Sequence, residues 1–199
     1  MSALTEAEAQ KIVRPLATPV YTVALLWRNL KNSLESFGQD YGGLVMEPDF
    51  QRGHVWTPEQ QRHFIENALR GVISQAGLTI QFNCPDFDYR GNLKKDVENS
   101  FVCMDGLQRI TAVMKYIDGE IKPFGYSIHD FENTSFKLSG SNMRFQLCVY
   151  NMQTRAEILQ HYIDINAGST PHTKDEIDRV RNLLKVAPEP EVMHDQPEF

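Results

Sequence analysis

The sequence predicts an α+β fold, and three observations carry that expectation. Apolar residues recur at three and four along some stretches and alternate at two along others, so helices and strands are both present. These elements follow one another without a regular β-α-β alternation, which argues against a doubly wound sheet. With 199 residues the chain has room for one domain and its appendages, and no segment repeats at a solenoid period.

Taken in order, residues 1–20 are polar, end in Pro15 and Pro19, and read as a flexible N-terminal arm. Val23, Leu26, Trp27, Leu30 and Leu34 then fall at helical spacing, with Thr22 placed to cap the helix and Gly38 to stop it. Leu44–Met46 reads as a short extended piece. Thr57-Pro58-Glu59-Gln60 is a capping box with proline at the first helical position, and it opens a helix that Gly71 ends. Leu78, Ile80 and Phe82 alternate with polar residues as in a strand, and residues 83–99 read as a solvated loop or hairpin.

Phe101-Val102-Cys103-Met104 is a buried-type strand that feeds through Asp105-Gly106 straight into a helical stripe, Leu107, Ile110, Val113, Met114 and Ile117. Extended pieces are expected near 125–128 and 144–150. Helices are expected over 154–166 and from a second capping box, Thr173-Lys174-Asp175-Glu176, to Leu184. The domain is therefore bounded at 21–185, with residues 186–199 a proline-containing acidic tail.

Composition narrows the function. The net charge is -6, from 20 basic against 26 acidic residues, which excludes nucleic-acid binding through a generally basic surface. Half of that charge sits in residues 174–199, where four basic side chains face seven acidic ones, so the body is close to neutral and compatible with an anionic ligand. Three dispersed cysteines and no apolar run of membrane length point to a cytoplasmic protein with reduced thiols and no membrane partner. The six histidines make no metal-ligand spacing, and the common phosphate-loop, dinucleotide and nucleophile-elbow motifs are missing.

Three short segments can carry chemistry. At Asp105-Gly106-Leu107-Gln108-Arg109 the unpaired N–H groups of a helix start can hold phosphate. Gly106 lets the backbone approach the anion, Arg109 adds a bidentate grip, Asp105 can hold a metal ion or orient water, and Gln108 can bond a ligand or that water. Asp-Gly before a helix is also an ordinary turn. The second segment is Phe50-Gln51-Arg52-Gly53-His54-Val55-Trp56, where Arg52 can meet a second phosphate and His54 stands beside it, while Trp56 reads as core. The third, residues 163–171, includes Asn166 and reads locally as a helix end capped at Gly168.

In this order along the chain, the three segments closely resemble the N-terminal domain of GmrSD-type, modification-dependent restriction endonucleases, of the ParB/sulfiredoxin-like superfold. The resemblance spans Thr22 to Leu184. It implies a mixed sheet flanked by helices, a nucleotide pocket, and nucleoside triphosphate hydrolysis with Mg²⁺ coupled to cleavage of modified DNA. On that basis Asp105, Gln108, Arg109, Gln51 and Arg52 are the expected catalytic residues, with Asp105 as metal ligand. Gly106, Arg109, Arg52, His54 and Asn166 are the expected nucleotide contacts. The family's Y-Q-R has Phe50 in place of tyrosine, and its D-G-Q-Q-R has Leu107 in place of an amide, so one polar contact is missing from each motif.

The nuclease domain that often follows in the family has no room after Leu184, so a stand-alone module from a phage or mobile element is expected, with DNA and a separate nuclease or restriction-system protein as partners. Two alternatives stand beside the hydrolase: a ParB-like nuclease that nicks DNA, and a non-catalytic nucleotide- or DNA-binding module or inhibitor of a restriction system.

Overall fold

The computed structural model describes residues 3–87, 96–138, 143–167 and 174–187. Helix α1 (Glu6–Val13) opens the chain on a Thr5/Glu8 capping box, and none of its residues is buried. The expected arm thus contains a helix that does not pack into the core.

Five strands follow in one sheet: β1 (Tyr21–Leu26), β2 (Leu44–Val45), β3 (Thr79–Asn83), β4 (Phe101–Asp105) and β5 (Arg144–Tyr150). Their spatial order is β1-β5-β3-β4-β2. β1 pairs antiparallel with β5 and β3 with β4, whereas β3 with β5 and β2 with β4 run parallel. The sheet is mixed and the α+β class is observed.

Helices α2 (Leu30–Asp40), α3 (Pro58–Leu69) and α4 (Leu107–Ile117) share a core with one face of the sheet, and α5 (Arg155–Ala167) and α6 (Lys174–Val186) pack on the other. Strand alternation sends side chains both ways. Leu147 and Val149 of β5 enter the larger core with Trp27, Ile65, Phe82 and Val113. Cys148 and Tyr150, their neighbours, join Phe50, Leu159, Tyr162 and Val180 in the smaller one. Phe101 stacks on Phe82 across the β3–β4 ladder with ring centroids 4.5 Å apart, and on Phe37 of α2 at 4.9 Å.

Helix α3 begins as its sequence dictates. Thr57 accepts from the Gln60 N–H, the Gln60 side chain accepts from the Thr57 N–H, and Pro58 occupies the first turn. Such a cap contributes about 1 kcal/mol.

Three expectations are corrected. The helix expected from Thr22 is strand β1 followed by a 3-10 turn, and α2 starts only at Leu30. Gly38 does not stop that helix but lies buried within it, where a Cβ would stand 2.8 Å from the Leu44 Cβ; it is the point at which α2 meets β2. Of the extended piece expected near 125–128 only Tyr126 and Ser127 are extended, between the 3-10 turns Pro123–Gly125 and Ile128–Phe131, and they join no strand. Part of the 83–99 loop, Gly168, the second capping box and the tail from 188 lie outside what is described, as do the side chains of residues 174–176.

Candidate functional site

The β4–α4 junction lies beside a cavity of about 580 Å³. One wall is Asp105, Gly106, Leu107, Gln108 and Arg109. The loop before α3 supplies Gln51, Arg52, Gly53 and Trp56. The turn before β3 gives Ala76 and Gly77, and β3 itself gives Gln81. Helix α5 closes the far side with Tyr162, Ile165 and Asn166.

Gly106 makes the junction possible. Its φ is +112°, a left-handed conformation, and a Cβ would meet the Ile80 Cγ2 at 2.6 Å. Only glycine fits between the strand end and β3. Helix α4 then starts without a capping side chain and without an acid in its first turn, so its electropositive end faces the cavity.

Asp105 and Arg109 form an ion pair across the junction, Arg109 Nη2 donating to Asp105 Oδ2 at 2.6 Å. Arg109 also donates through Nη1 to the Gly77 carbonyl at 3.5 Å. Arg52 lines the same cavity. The cavity lining therefore holds two guanidinium groups and one carboxylate.

The two glutamines bind the loop to the junction. Gln51 Nε2 donates to the Cys103 carbonyl of β4 at 2.7 Å. Gln108 Oε1 accepts from the Val55 N–H at 2.9 Å and the Trp56 N–H at 3.0 Å, and its Nε2 donates to the Gly53 carbonyl at 2.8 Å. Both ends of the Gln108 amide are thus engaged by the loop, while Gln108 also lines the cavity.

His54 is placed apart from these residues. It is not in the cavity wall; its Nε2 accepts from Gln61 on α3 at 2.5 Å. Asn166 lines the cavity, yet its amide turns back to donate to the Tyr162 carbonyl at 2.7 Å. Trp56 packs on Phe64 with centroids 5.4 Å apart, in keeping with its reading as core, while also touching the cavity.

Phe50 and Leu107, where the chain departs from the resembled pattern, are both core residues. Phe50 is 3% exposed, set edge-on to Tyr162, and Leu107 is 6% exposed. Neither side chain offers a polar group to the cavity.

Two buried groups beneath the wall are chemically quiet. Burial, with the Asp105 charge adding to it, pushes the Cys103 thiol up to about 12, so it is no nucleophile at neutral pH. Burial likewise raises Tyr150 to about 12. Among the described residues no group of three His, Cys, Asp or Glu side chains is placed to hold a metal ion. Asp105 can still contribute to Mg²⁺, a hard ion that one carboxylate shares with waters and phosphate oxygens.

Sequence reasoning missed Gln81, Gly77 and Tyr162, which belong to no motif. Gln81 is in register with Asp105, next to a shift in the β3–β4 ladder that leaves Met104 of β4 as the extra residue, an irregularity common beside sites. No helix among the described residues is long and apolar enough to cross a membrane.

A family model described as GmrSD restriction endonuclease, N-terminal domain, matches residues 31–188. No curated protein and no solved structure matches the chain.

Proposed function

This chain belongs to the GmrSD restriction endonuclease N-terminal domain family, and on that premise we propose that it serves a phage-restriction system by binding and hydrolysing a nucleoside triphosphate in the cavity at the β4–α4 junction. One observation carries the reading. The uncapped start of α4, held open by Gly106, lines one cavity together with Arg52 and Arg109. Backbone N–H groups and guanidinium ions together suit an anion of several charges.

Phosphoryl transfer asks a protein mainly for positioning and charge stabilisation, and this wall supplies both. Arg109 and Arg52 grip phosphate oxygens, and Gly106 lets the backbone come close. Arg109 exchanges one oxygen partner for another as it leaves Asp105 for the phosphate, which frees the Asp105 carboxylate. The freed Asp105 carboxylate would be the residue to ligate Mg²⁺, or to accept a hydrogen bond from the attacking water. Bound Mg²⁺ would neutralise charge on the transferring group. Gln51 and Gln108 position the loop that bears Arg52.

The test is hydrolysis of each NTP with Mg²⁺ by the wild type and by Asp105→Ala and Arg109→Ala. Turnover equal in all three removes the assignment. Relaxation of supercoiled plasmid in the same buffer would instead favour a nuclease.

A second reading is binding without turnover, and the burial of Phe50 and Leu107 favours it, because neither motif brings the family's extra polar group to the ligand. Calorimetric binding of nucleotide with no product over hours distinguishes this reading from the first.

A further inference from the structure

Gln81 and His161 come from β3 and α5, 80 residues apart, and meet at the cavity edge. His161 Nε2 lies 3.0 Å from Gln81 Oε1. A carboxamide oxygen only accepts, so the imidazole donates through Nε2. His161 is 5% exposed, its ring packed on Tyr150 at 4.6 Å between centroids. Burial lowers its pKa, against the opposing pull of Asp164 and Asp105, so it is neutral near pH 7 and carries a single N–H. That N–H is committed to Gln81.

The consequence falls on the other end of the amide. With Oε1 held by His161, the –NH₂ donors are the end of the amide left to Gln81 for the cavity that it lines alongside Asp105, its register partner. Phosphoryl oxygens accept hydrogen bonds and donate none. A free amide presents its oxygen as readily as its nitrogen, and that oxygen repels an oxyanion. A held amide presents donors alone.

We propose that Gln81 contacts the ligand in this cavity and that His161 is a positioning residue, fixing the Gln81 amide so that its N–H donors face a phosphoryl oxyanion. The inference rests on the phosphate reading above and adds to the α4 wall a second set of donors, from the opposite strand. It also gives His161 a part in binding that its burial between α5 and the sheet would otherwise leave as packing.

The experiment is calorimetric titration of the full chain with inorganic triphosphate and Mg²⁺. The proteins are wild type, Arg109→Ala, Gln81→Leu, His161→Phe, the Gln81→Leu/His161→Phe double variant and His161→Gln. Gln81→Leu is expected to weaken binding about tenfold or more, the size of one hydrogen bond to a charged acceptor. His161→Phe, similar in volume but without a donor, should lose a comparable factor, and the double variant should be no weaker than Gln81→Leu alone. His161→Gln, whose amide nitrogen can take the place of Nε2, should recover most of the affinity, which a merely structural role would not predict.

Wild-type affinity in Gln81→Leu, losses that multiply in the double variant, or His161→Gln as weak as His161→Phe would each overturn the inference while leaving the Arg109 site standing. If the wild type binds no triphosphate, or binds it as well after Arg109→Ala, the phosphate reading fails and this inference with it. If His161→Phe does not fold by thermal unfolding, Gln81→Leu and His161→Gln still decide.

Discussion

Arg109 Nη2 stands 2.6 Å from Asp105 Oδ2, so the last residue of β4 and a residue in the first turn of α4 neutralise one another across Gly106. An anion entering the cavity competes with Asp105 for the guanidinium. Arg109→Ala should therefore cost ten- to a hundredfold in triphosphate affinity, the range for hydrogen bonds to a charged group. Asp105→Asn should do the reverse in the absence of metal, tightening binding because the competing carboxylate is gone, while removing the part of the affinity that depends on Mg²⁺. Calorimetry with and without Mg²⁺ reads both. Weaker metal-free binding in Asp105→Asn would show that the pair orders the site rather than guarding it.

Gly106→Ala should destabilise the fold by about 2–4 kcal/mol. A left-handed backbone costs a residue with a Cβ about 1–2 kcal/mol, and pressing that atom into Ile80 at 2.6 Å adds a cost of the kind seen on overpacking. Urea unfolding measures it. A loss under about 0.5 kcal/mol would mean that the junction relaxes freely, and the close fit claimed for it would be wrong.

Much of this junction was legible in the sequence, because a short apolar strand, Asp-Gly and a helical stripe are local signals. The α3 capping box and β5 were legible for the same reason. The stretch from Thr22 was misread because Val23, Leu26, Trp27, Leu30 and Leu34 keep helical spacing across a strand, a 3-10 turn and the first part of a helix. Leu25 packs inward from the strand, and Trp27, Leu30 and Leu34 pack inward from the turn and helix, so two periods merge into one pattern. The site was legible as far as its motifs reached. Gln81 and His161 stand in no motif, and their meeting is a product of β3 pairing with β4 and of α5 packing behind the sheet. The fates of Gln108 and His54 also depend on long-range geometry: Gln108 meets backbone 52–55 residues earlier in the chain, and His54 turns to a helix that its own loop introduces.

Gln108→Ala should loosen the loop that carries Arg52. The substitution strips a partner from the Val55 and Trp56 N–H groups and from the Gly53 carbonyl, and because these groups are partly reached by water the expected loss is about 1–2 kcal/mol. Limited proteolysis at residues 51–56 should accelerate, and triphosphate affinity should fall with it. Unchanged cleavage with lost affinity would return Gln108 to direct ligand contact.

Arg179 of α6 holds the same loop from outside the cavity. Its Nη1 donates to the Asp49 carbonyl at 2.9 Å and its Nη2 to the Phe50 carbonyl at 2.7 Å, while Arg155 of α5 bonds the Asp49 carboxylate at 2.7 Å. Arg179→Ala should lower nucleotide affinity severalfold without changing its Mg²⁺ dependence, since the residue touches no ligand. Side-chain rescue by Arg179→Lys should be partial, because an ammonium cannot span two carbonyls as a planar fork does. Full rescue by lysine would reduce the clamp to a simple charge effect.

His161 gives the fold a pH dependence of definite sign. Burial lowers its pKa in the folded chain below the unfolded value of 6.5. The folded state therefore resists protonation that the unfolded chain accepts, and stability falls as pH drops through 6.5 toward the lower folded value. Above that window both states are neutral and the effect vanishes; below it both are protonated and no further loss accrues. Asp164 and Asp105 pull the other way, so the window is narrower than burial alone would make it. Chemical unfolding at pH 7.5 and pH 5 should show a larger drop for the wild type than for His161→Gln, which keeps the donor to Gln81 but does not titrate. Equal drops would mean that His161 protonates as easily folded as unfolded, and that its contact with Gln81 does not depend on a neutral ring.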